Sequence, residues 1–260
     1  MKFVSAAEAV KLIKSGDSVF IQGSTSIPEV LVQAMTERAP ELRDVKVYSA
    51  FAIGRFDAPY AKAELRDSFE PLSFFVANNL RELLSELNPA DIALVFDELP
   101  KREIPFLFRS RQVPLDVTLL NVSEPDDEGY CSYGISADLA FSAAECSKII
   151  IAQVNKYMPR TFGDSVIHVS KIDAMVRGDE PLVEVPTVIP TEVERAIGNY
   201  IASEIPDGAT LQIGVGGIPN AVLDALHNHK HLGLHTEAMT DGVVPLIEKG
   251  VIDNSLKKIY

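Results

Sequence analysis

The chain has 260 residues, enough for one large or two ordinary domains, and a hydrophobic content of 47% supports a sizeable core. A net charge of −13 argues against a nucleic-acid backbone as partner, which needs clustered Lys and Arg, but leaves room for a small anionic ligand at a locally positive site. Cys131 and Cys146 have neither metal nor redox spacing, and there is neither a leader pattern nor a run of about 20 apolar residues, so the expectation is a soluble cytoplasmic protein with reduced thiols.

In chain order, Ser5-Ala6-Ala7-Glu8 has the capping-box pattern and opens a helix whose apolar face carries Ala9, Val10, Leu12 and Ile13. Gly16-Asp17 ends it. Ser18 to Gln22 is expected as a strand, Gly23-Ser24-Thr25-Ser26 as a polar turn, Ile27-Pro28 as the start of a helix reaching about Arg38, and Val45 to Ala50 as the next strand. Further strands are expected over Leu72–Ala77, Ile92–Phe96, Asp116–Val122 and Ser147–Val154, with helices around Leu80–Leu87 and Ile135–Ala144. Ser123 to Tyr130 is an acidic loop with turn chemistry. Prolines 181, 186 and 190 mark a connection between domains.

The opening pattern then recurs. Thr191-Glu192-Val193-Glu194 is a second capping box, followed by a helix bearing Ile197, Tyr200 and Ile201 and by Pro206-Asp207-Gly208. Ala209 to Ile213 is expected as a strand running into Gly214-Val215-Gly216-Gly217, and Ile218-Pro219 opens another helix, the proline suiting its first turn. Matching Ile27-Pro28 with Ile218-Pro219 also matches Gly23 with Gly214. The copies differ where chemistry would sit: the first has Gly-Ser-Thr-Ser and a strand ending in Ser49-Ala50, the second a glycine-rich turn and a strand ending in Thr236-Glu237. Alternating strands and helices imply mainly parallel sheets. About 70 residues follow Pro190, against nearly 190 before it, so the second domain is expected to be truncated.

Glu237 is the sharpest chemical candidate. Parallel neighbouring strands would bring it and the glycine turn together at their carboxyl ends, where open α/β sheets bind ligands. Freed N–H groups at a helix start can hold an anion or oxyanion, and a carboxylate beside them suggests acyl transfer. A solvated strand-end glutamate and a plain tight turn are the bland alternatives. The turn lacks the third glycine of the dinucleotide fingerprint, where Pro219 stands, and the Lys-Ser/Thr of a P-loop. His227, His229, His231 and His235 suit a helix end better than a metal site. Asp126, Asp127 and Glu128 suit a solvated turn better than a cation site, and Lys156 and Arg160 suit a solvated surface at least as well as a phosphate contact.

Gln212-Ile213-Gly214-Val215-Gly216-Gly217-Ile218-Pro219, His235-Thr236-Glu237 and Asp241-Gly242-Val243 together resemble the acetyl-CoA hydrolase/transferase family, in the branch of 4-hydroxybutyrate and butyrate–acetate CoA-transferases. Ala152-Gln153-Val154-Asn155, Met158-Pro159-Arg160-Thr161, Gly163-Asp164-Ser165, Pro125-Asp126 and Gly129-Tyr130-Cys131-Ser132 extend the likeness over nearly the whole chain. Glu124 and Glu128 stand where the family loop has a proline and a histidine. The resemblance implies an α/β fold of two related, open, mainly parallel-sheet domains of the CoA-transferase type: an N-terminal domain over 1–185 and, over 190–260, the start of a C-terminal domain carrying the catalytic glutamate. It further implies transfer of CoA between an acyl-CoA and a short-chain carboxylic acid, with Glu237 as the nucleophile. Gln212, Gly214, Gly216, Gly217, Asn155, Met158 and Pro159 would contact CoA or substrate. Coenzyme A would be a substrate, with neither a permanent cofactor nor a metal, and the protein would be a cytoplasmic homo-oligomer. Hydrolysis through the same glutamate and non-catalytic binding of CoA esters are the alternatives. Family members continue past the equivalent of Tyr260, where an asparagine and a glycine of the oxyanion site are expected.

Overall fold

A computed structural model describes residues 3–50, 58–74 and 104–258. The chain divides into two compact units, Met1–Glu184 and Val185–Tyr260. The expected helix around Leu80–Leu87 and strand over Ile92–Phe96 lie outside the described residues.

The first unit is built on a six-stranded, wholly parallel sheet. Its strands are β1 (Ser18–Ile21), β2 (Val45–Ser49), β3 (Phe69–Ser73), β4 (Val117–Val122), β6 (Ile149–Val154) and β8 (Ala174–Arg177), in the order β3-β2-β1-β4-β6-β8. Successive side chains of a strand point to opposite faces, and both faces here are covered. Val19, Ile21, Val47 and Leu119 join Leu31, Val32 and Met35 of helix α2 (Glu29–Glu37) in one core. Phe20, Tyr48, Leu120 and Val122 join Phe108 of helix α3 (Ile104–Arg109) and Ala140 and Ala143 of helix α4 (Asp138–Cys146) in the other. Phe108 packs edge-on against Phe20 and Phe74, with centroids 5.6 and 5.7 Å apart. All of β1 and β4 is therefore buried, as the unbroken apolar runs of a central parallel strand require.

Aspartates pin the strand starts. Asp116 accepts the N–H of Ser18 at 2.9 Å and pairs with Lys148 at 2.6 Å; Asp173 accepts the N–H of Ile150 at 2.8 Å. Partial burial pushes the Asp116 carboxyl up, but its bonds to Lys148 and Ser18 outweigh this and hold it below the usual range. Ser5 and Glu8 close the expected capping box ahead of the short helix α1 (Ala6–Ala9), which continues as a 3-10 turn over Val10–Leu12.

The strand expected over Leu72–Ala77 begins earlier, at Phe69, and is described over Phe69–Ser73; residues 75–77 of the expected range lie outside the described residues. Pro71 lies inside it, and β3 tolerates a missing N–H because it ends the described sheet. The helix expected from Ile135 begins at Asp138. An antiparallel ribbon, β5 (Tyr130–Ser132) with β7 (Val166–His168), and the strand β8 were not foreseen.

In the second unit, helix α5 (Glu192–Glu204) opens on the Thr191–Glu194 capping box and packs on helix α6 (Gly217–Ala225). The contact is close: a Cβ on Gly198 would lie 2.6 Å from the backbone carbon of Ala221. Strands β9 (Thr210–Leu211) and β10 (Gly233–Leu234) pair in parallel, shorter than the expected Ala209–Ile213 and a strand running to Glu237. A small core of Leu223, Leu226, Leu232, Leu246 and Ile252 includes helix α7 (Val244–Glu248). The His229 ring reaches the carbonyls of Ala202, Ile205 and Leu226 at the helix ends, and His231 pairs with Asp253 at 2.8 Å. No helix among the described residues is long and apolar enough to cross a membrane.

Two outcomes follow from this packing. Replacing a helical glycine by alanine ordinarily stabilises by about 1 kcal/mol. Gly198→Ala should instead destabilise by about 1–3 kcal/mol, because the new methyl meets backbone that cannot yield. A urea midpoint at or above wild type would show that the two helices have room. Bonds from the Ser255 backbone and hydroxyl and from His231 lower the Asp253 carboxyl from 3.8 to about 2. Folding thus favours its charged form, so the contribution is complete above pH 3.8 and is lost as the pH falls toward 2. Urea melts across that window should show Asp253→Asn less acid-sensitive than wild type; identical slopes would remove Asp253 from the acid response.

Candidate active site

The Thr191–Glu194 cap, the α5–α6 contact and the β9–β10 pair together fix the turn Gly214–Gly217. Gly216 is the N-cap of α6 with φ +126°, a conformation that favours glycine. Gly217 is needed for another reason: a Cβ there would stand 2.2 Å from the Glu194 carboxylate. That carboxylate is engaged with the Thr191 N–H at 2.7 Å, which holds it below the usual range. Gly214 has ordinary surroundings, with Pro219 at 3.8 Å from a built Cβ. Among the described residues, the N–H groups of Gly214, Val215, Gly216, Gly217 and Ile218 have no acceptor. A helix start leaves such donors unpaired unless something caps it.

In the first unit the donors of the first turn of α2 are satisfied. Glu29 donates to the Ile27 carbonyl, Leu31 and Val32 donate to that of Pro28, and Val30 donates to the Gln153 side chain at 3.1 Å. Gln153 is buried and reaches across from β6, its amide also donating to Gly178. Gly23 lies so close to β2 that a Cβ would sit 1.9 Å from the Ala50 carbonyl oxygen. Among the described residues, the N–H groups in the first turn of α2 thus have acceptors, whereas those of Gly217 and Ile218 in the first turn of α6 have none.

Glu237 lies three residues beyond β10, on an exposed bend. The segment is tied to the glycine turn through its neighbour. The Thr236 hydroxyl accepts the N–H of Ile213 at 3.1 Å and lies 2.7 Å from the Ile213 carbonyl as donor, with the Ala238 carbonyl as its other acceptor at 3.0 Å. Ile213 immediately precedes Gly214. The Glu237 carboxylate makes no hydrogen bond or ion pair among the described residues. Gln212, Gly214, Gly216, Gly217 and Glu237 are thus brought onto one end of the β9–β10 pair, with Gln212 exposed. Thr236 went unsingled in the sequence, where it reads as an ordinary β-branched strand residue; its role depends on register.

Asn155, Met158 and Pro159 share one loop of the first unit, following β6. Asn155 is fully buried and builds that loop: it accepts from Tyr157 N–H at 2.9 Å and donates to Glu180 at 2.7 Å. Met158 is buried against Gly134, whose φ is +68° and whose added Cβ would lie 2.0 Å from the Met158 sulfur. Pro159 is exposed. Arg160 is paired with Asp126, whose carboxylate also accepts the N–H groups of Tyr130 and Glu128; the Tyr130 bond is the main cause of its lowered pKa. Lys156 pairs with Asp179 at 3.8 Å. Burial pushes the Cys131 thiol up to about 11, so it is a poor nucleophile. Among the described residues no three His, Cys, Asp or Glu side chains gather as metal ligands.

The family described as acetyl-CoA hydrolase/transferase N-terminal domain matches residues 1–187. The chain is 40% identical to the 4-hydroxybutyrate coenzyme A transferase of Clostridium kluyveri, over all of this chain and 59% of that protein. It is also 40% identical to the succinyl-CoA:acetate/propanoyl-CoA:succinate CoA transferase of Fasciola hepatica, over 97% of this chain and 52% of that one. Among solved structures, the 4-hydroxybutyrate CoA-transferase of Porphyromonas gingivalis superposes with a TM-score of 0.84 at 38% identity, covering 99% of this chain and 59% of that one. RipA from Yersinia pestis does so with a TM-score of 0.89 at 32% identity, covering 97% and 60%. The chain therefore spans between about half and three fifths of these proteins' lengths. With its parallel α/β sheets and this likeness along its whole length, the chain belongs to the acetyl-CoA hydrolase/transferase family.

Proposed function

We propose that the intact protein transfers CoA between an acyl-CoA and a short-chain carboxylate through a thioester on Glu237. The observation that carries this is the Thr236 bridge, which holds an unbonded carboxylate segment beside a helix start with free N–H donors. The relatives named above, as CoA transferases, support the reaction class.

A carboxylate oxygen of Glu237 attacks the thioester carbonyl carbon; the C–S bond breaks, CoA leaves as thiolate and an acyl–glutamyl anhydride remains. The thiolate attacks the glutamyl carbonyl, and the C–O bond breaks to release the first acid as a carboxylate. The acceptor carboxylate then attacks the glutamyl thioester, expelling thiolate and forming a second anhydride. Thiolate attack on the acceptor's acyl carbon completes the new acyl-CoA and returns Glu237 as a carboxylate. Protons and electrons balance without ATP, metal or redox partner. Each tetrahedral intermediate carries an oxyanion, which fixed N–H donors stabilise; losing one such donor typically costs about 3 kcal/mol. Gly214, Gly216 and Gly217 supply donors and close backbone approach, and Gln212 contacts CoA or substrate. In the first unit, Asn155 and Met158 shape a loop, with Pro159 at its surface, that binds part of the CoA ester. The reading includes a cytoplasmic homo-oligomer.

Incubation of the intact protein with acetyl-CoA, followed by mass spectrometry, should reveal a CoA adduct on the peptide containing Glu237. Glu237→Ala should abolish adduct and exchange. Glu237→Asp should lose on the order of 100-fold in exchange, since its carboxylate retreats by about an ångström from the reacting carbon. Wild-type turnover in Glu237→Ala would remove the assignment, and release of free acid without an acceptor would favour hydrolysis.

The glycines should separate by cause. Gly216→Ala places a side chain in a backbone region that is essentially glycine-only, at about 1–3 kcal/mol, and exchange should fall with it. Gly217→Ala should displace Glu194 from its cap, costing about 1 kcal/mol. Gly214→Ala should leave the melting midpoint unchanged. Equal destabilisation by all three would make the turn purely structural.

A further inference from the structure

We propose that the Thr236 hydroxyl is the positioning group that frees Glu237 from the sheet by standing in for two backbone partners. Parallel pairing has a fixed arithmetic: the bonds Gly233 N–H to Ala209 O, at 2.9 Å, and His235 N–H to Leu211 O, at 2.8 Å, advance by two residues on each strand. The next bonds of the ladder would be Ile213 N–H to His235 O and Glu237 N–H to Ile213 O. Neither is made. The Thr236 hydroxyl takes both places, accepting from Ile213 N–H at 3.1 Å and donating to Ile213 O at 2.7 Å. One hydroxyl has a single proton and two lone pairs, so it can fill both roles at once.

The substitution has a geometric consequence. With Ile213 satisfied by a side chain, the main chain leaves the ladder at His235 without stranding the Ile213 amide, and Ile213 itself is buried. The N–H of Glu237 stays out of the sheet and its carboxylate extends from a bend instead of a pleat position. The same bond fixes how far the Glu237 segment stands from Gly214, the residue after Ile213. The first unit provides the contrast. Continuing the two registers puts Ala50 opposite Gln22 where Thr236 stands opposite Ile213, so the first unit has no hydroxyl at this place.

The inference rests on Glu237 being the nucleophile, and its test separates the two. Thr236→Val is isosteric and removes only the hydroxyl; Thr236→Ser keeps it. In the intact protein, with acetyl-CoA as donor and butyrate as acceptor, Thr236→Val should lower kcat by at least about tenfold, as misplacement of a reacting group does, while KM for acetyl-CoA moves less than about threefold. Thr236→Ser should restore kcat to within about threefold of wild type. A general loss of packing would not give that split, nor the serine rescue. Hydrogen exchange supplies a readout independent of turnover: the Ile213 amide should exchange faster in Thr236→Val and be protected in Thr236→Ser. Wild-type kcat in Thr236→Val, serine as impaired as valine, or unchanged protection at Ile213 would each overturn the inference. Full turnover in Glu237→Ala, with the Ile213 effect intact, would instead overturn the function proposed above and leave the hydroxyl as a purely structural ladder substitute.

Discussion

Parallel strands must hand their last N–H and C=O groups to something when the ladder stops, and that demand organises both units. Buried backbone groups left without partners cost about 1–3 kcal/mol each. At the carboxyl ends of the strands here, side chains take over the work of the missing strand. Gln22, fully buried after β1, accepts the Asn121 N–H at 2.7 Å and donates to the carbonyls of Tyr133 and Ser136. Gln153 bridges the start of α2 and Gly178; Asn155 closes its own loop; Thr236 serves Ile213. Amides and hydroxyls suit this role because each can donate and accept at once.

The same demand explains why two copies of one pattern diverge. In the first, Gln153 and nearby carbonyls satisfy every N–H in the first turn of α2. In the second, the turn is glycine-rich and, among the described residues, the N–H groups of Gly217 and Ile218 at the start of α6 have no acceptor. Gly216 lies in open space, with nothing within 4 Å of a built Cβ, while Gly217 is pressed against Glu194. One glycine is dictated by backbone conformation and the other by a neighbour, although both read alike as letters.

Much of this was legible in the sequence wherever the determinants are local. Both capping boxes formed as their Ser/Thr-x-x-Glu spacing requires, because all the participating groups lie within one turn. The apolar runs at Val117–Val122 and Ile149–Val154 became central strands for the same reason. What could not be read was anything fixed by partners distant in the chain. The three-residue strands of the β5–β7 ribbon carry little periodicity and exist through pairing across some 36 residues. The start of β3 at Phe69, ahead of the expected Leu72, was not legible because Pro71 argues against a central strand but not against one at the end of the described sheet. At the candidate site, glycine spacing and the lone glutamate marked the place, whereas the part played by Thr236 follows from which carbonyl lies opposite which amide, a matter of register rather than composition.

The free donors ahead of α6 also bear on how the site would work. Exposed N–H groups in the resting protein are satisfied by water, so they carry little penalty while no ligand is bound. Their directions are set beforehand by the Gly216 backbone, the Glu194 contact at Gly217 and the α5–α6 packing at Gly198. An oxyanion arriving there would exchange mobile water dipoles for fixed ones and would not have to reorganise the protein. That is the circumstance in which electrostatic stabilisation of a transition state is largest. Glu237, as the nucleophile we propose, would gain from the same rigidity. It is held by a hydroxyl on the adjacent residue and not by bonds of its own, so its oxygens remain free to react while its main chain does not wander. Direct pairing of the Glu237 carboxylate with a cation would hold it equally well but would engage the very electrons that the chemistry needs. Restraint through the neighbour avoids that conflict, and it accounts for a ladder that ends in a side chain one residue before the glutamate.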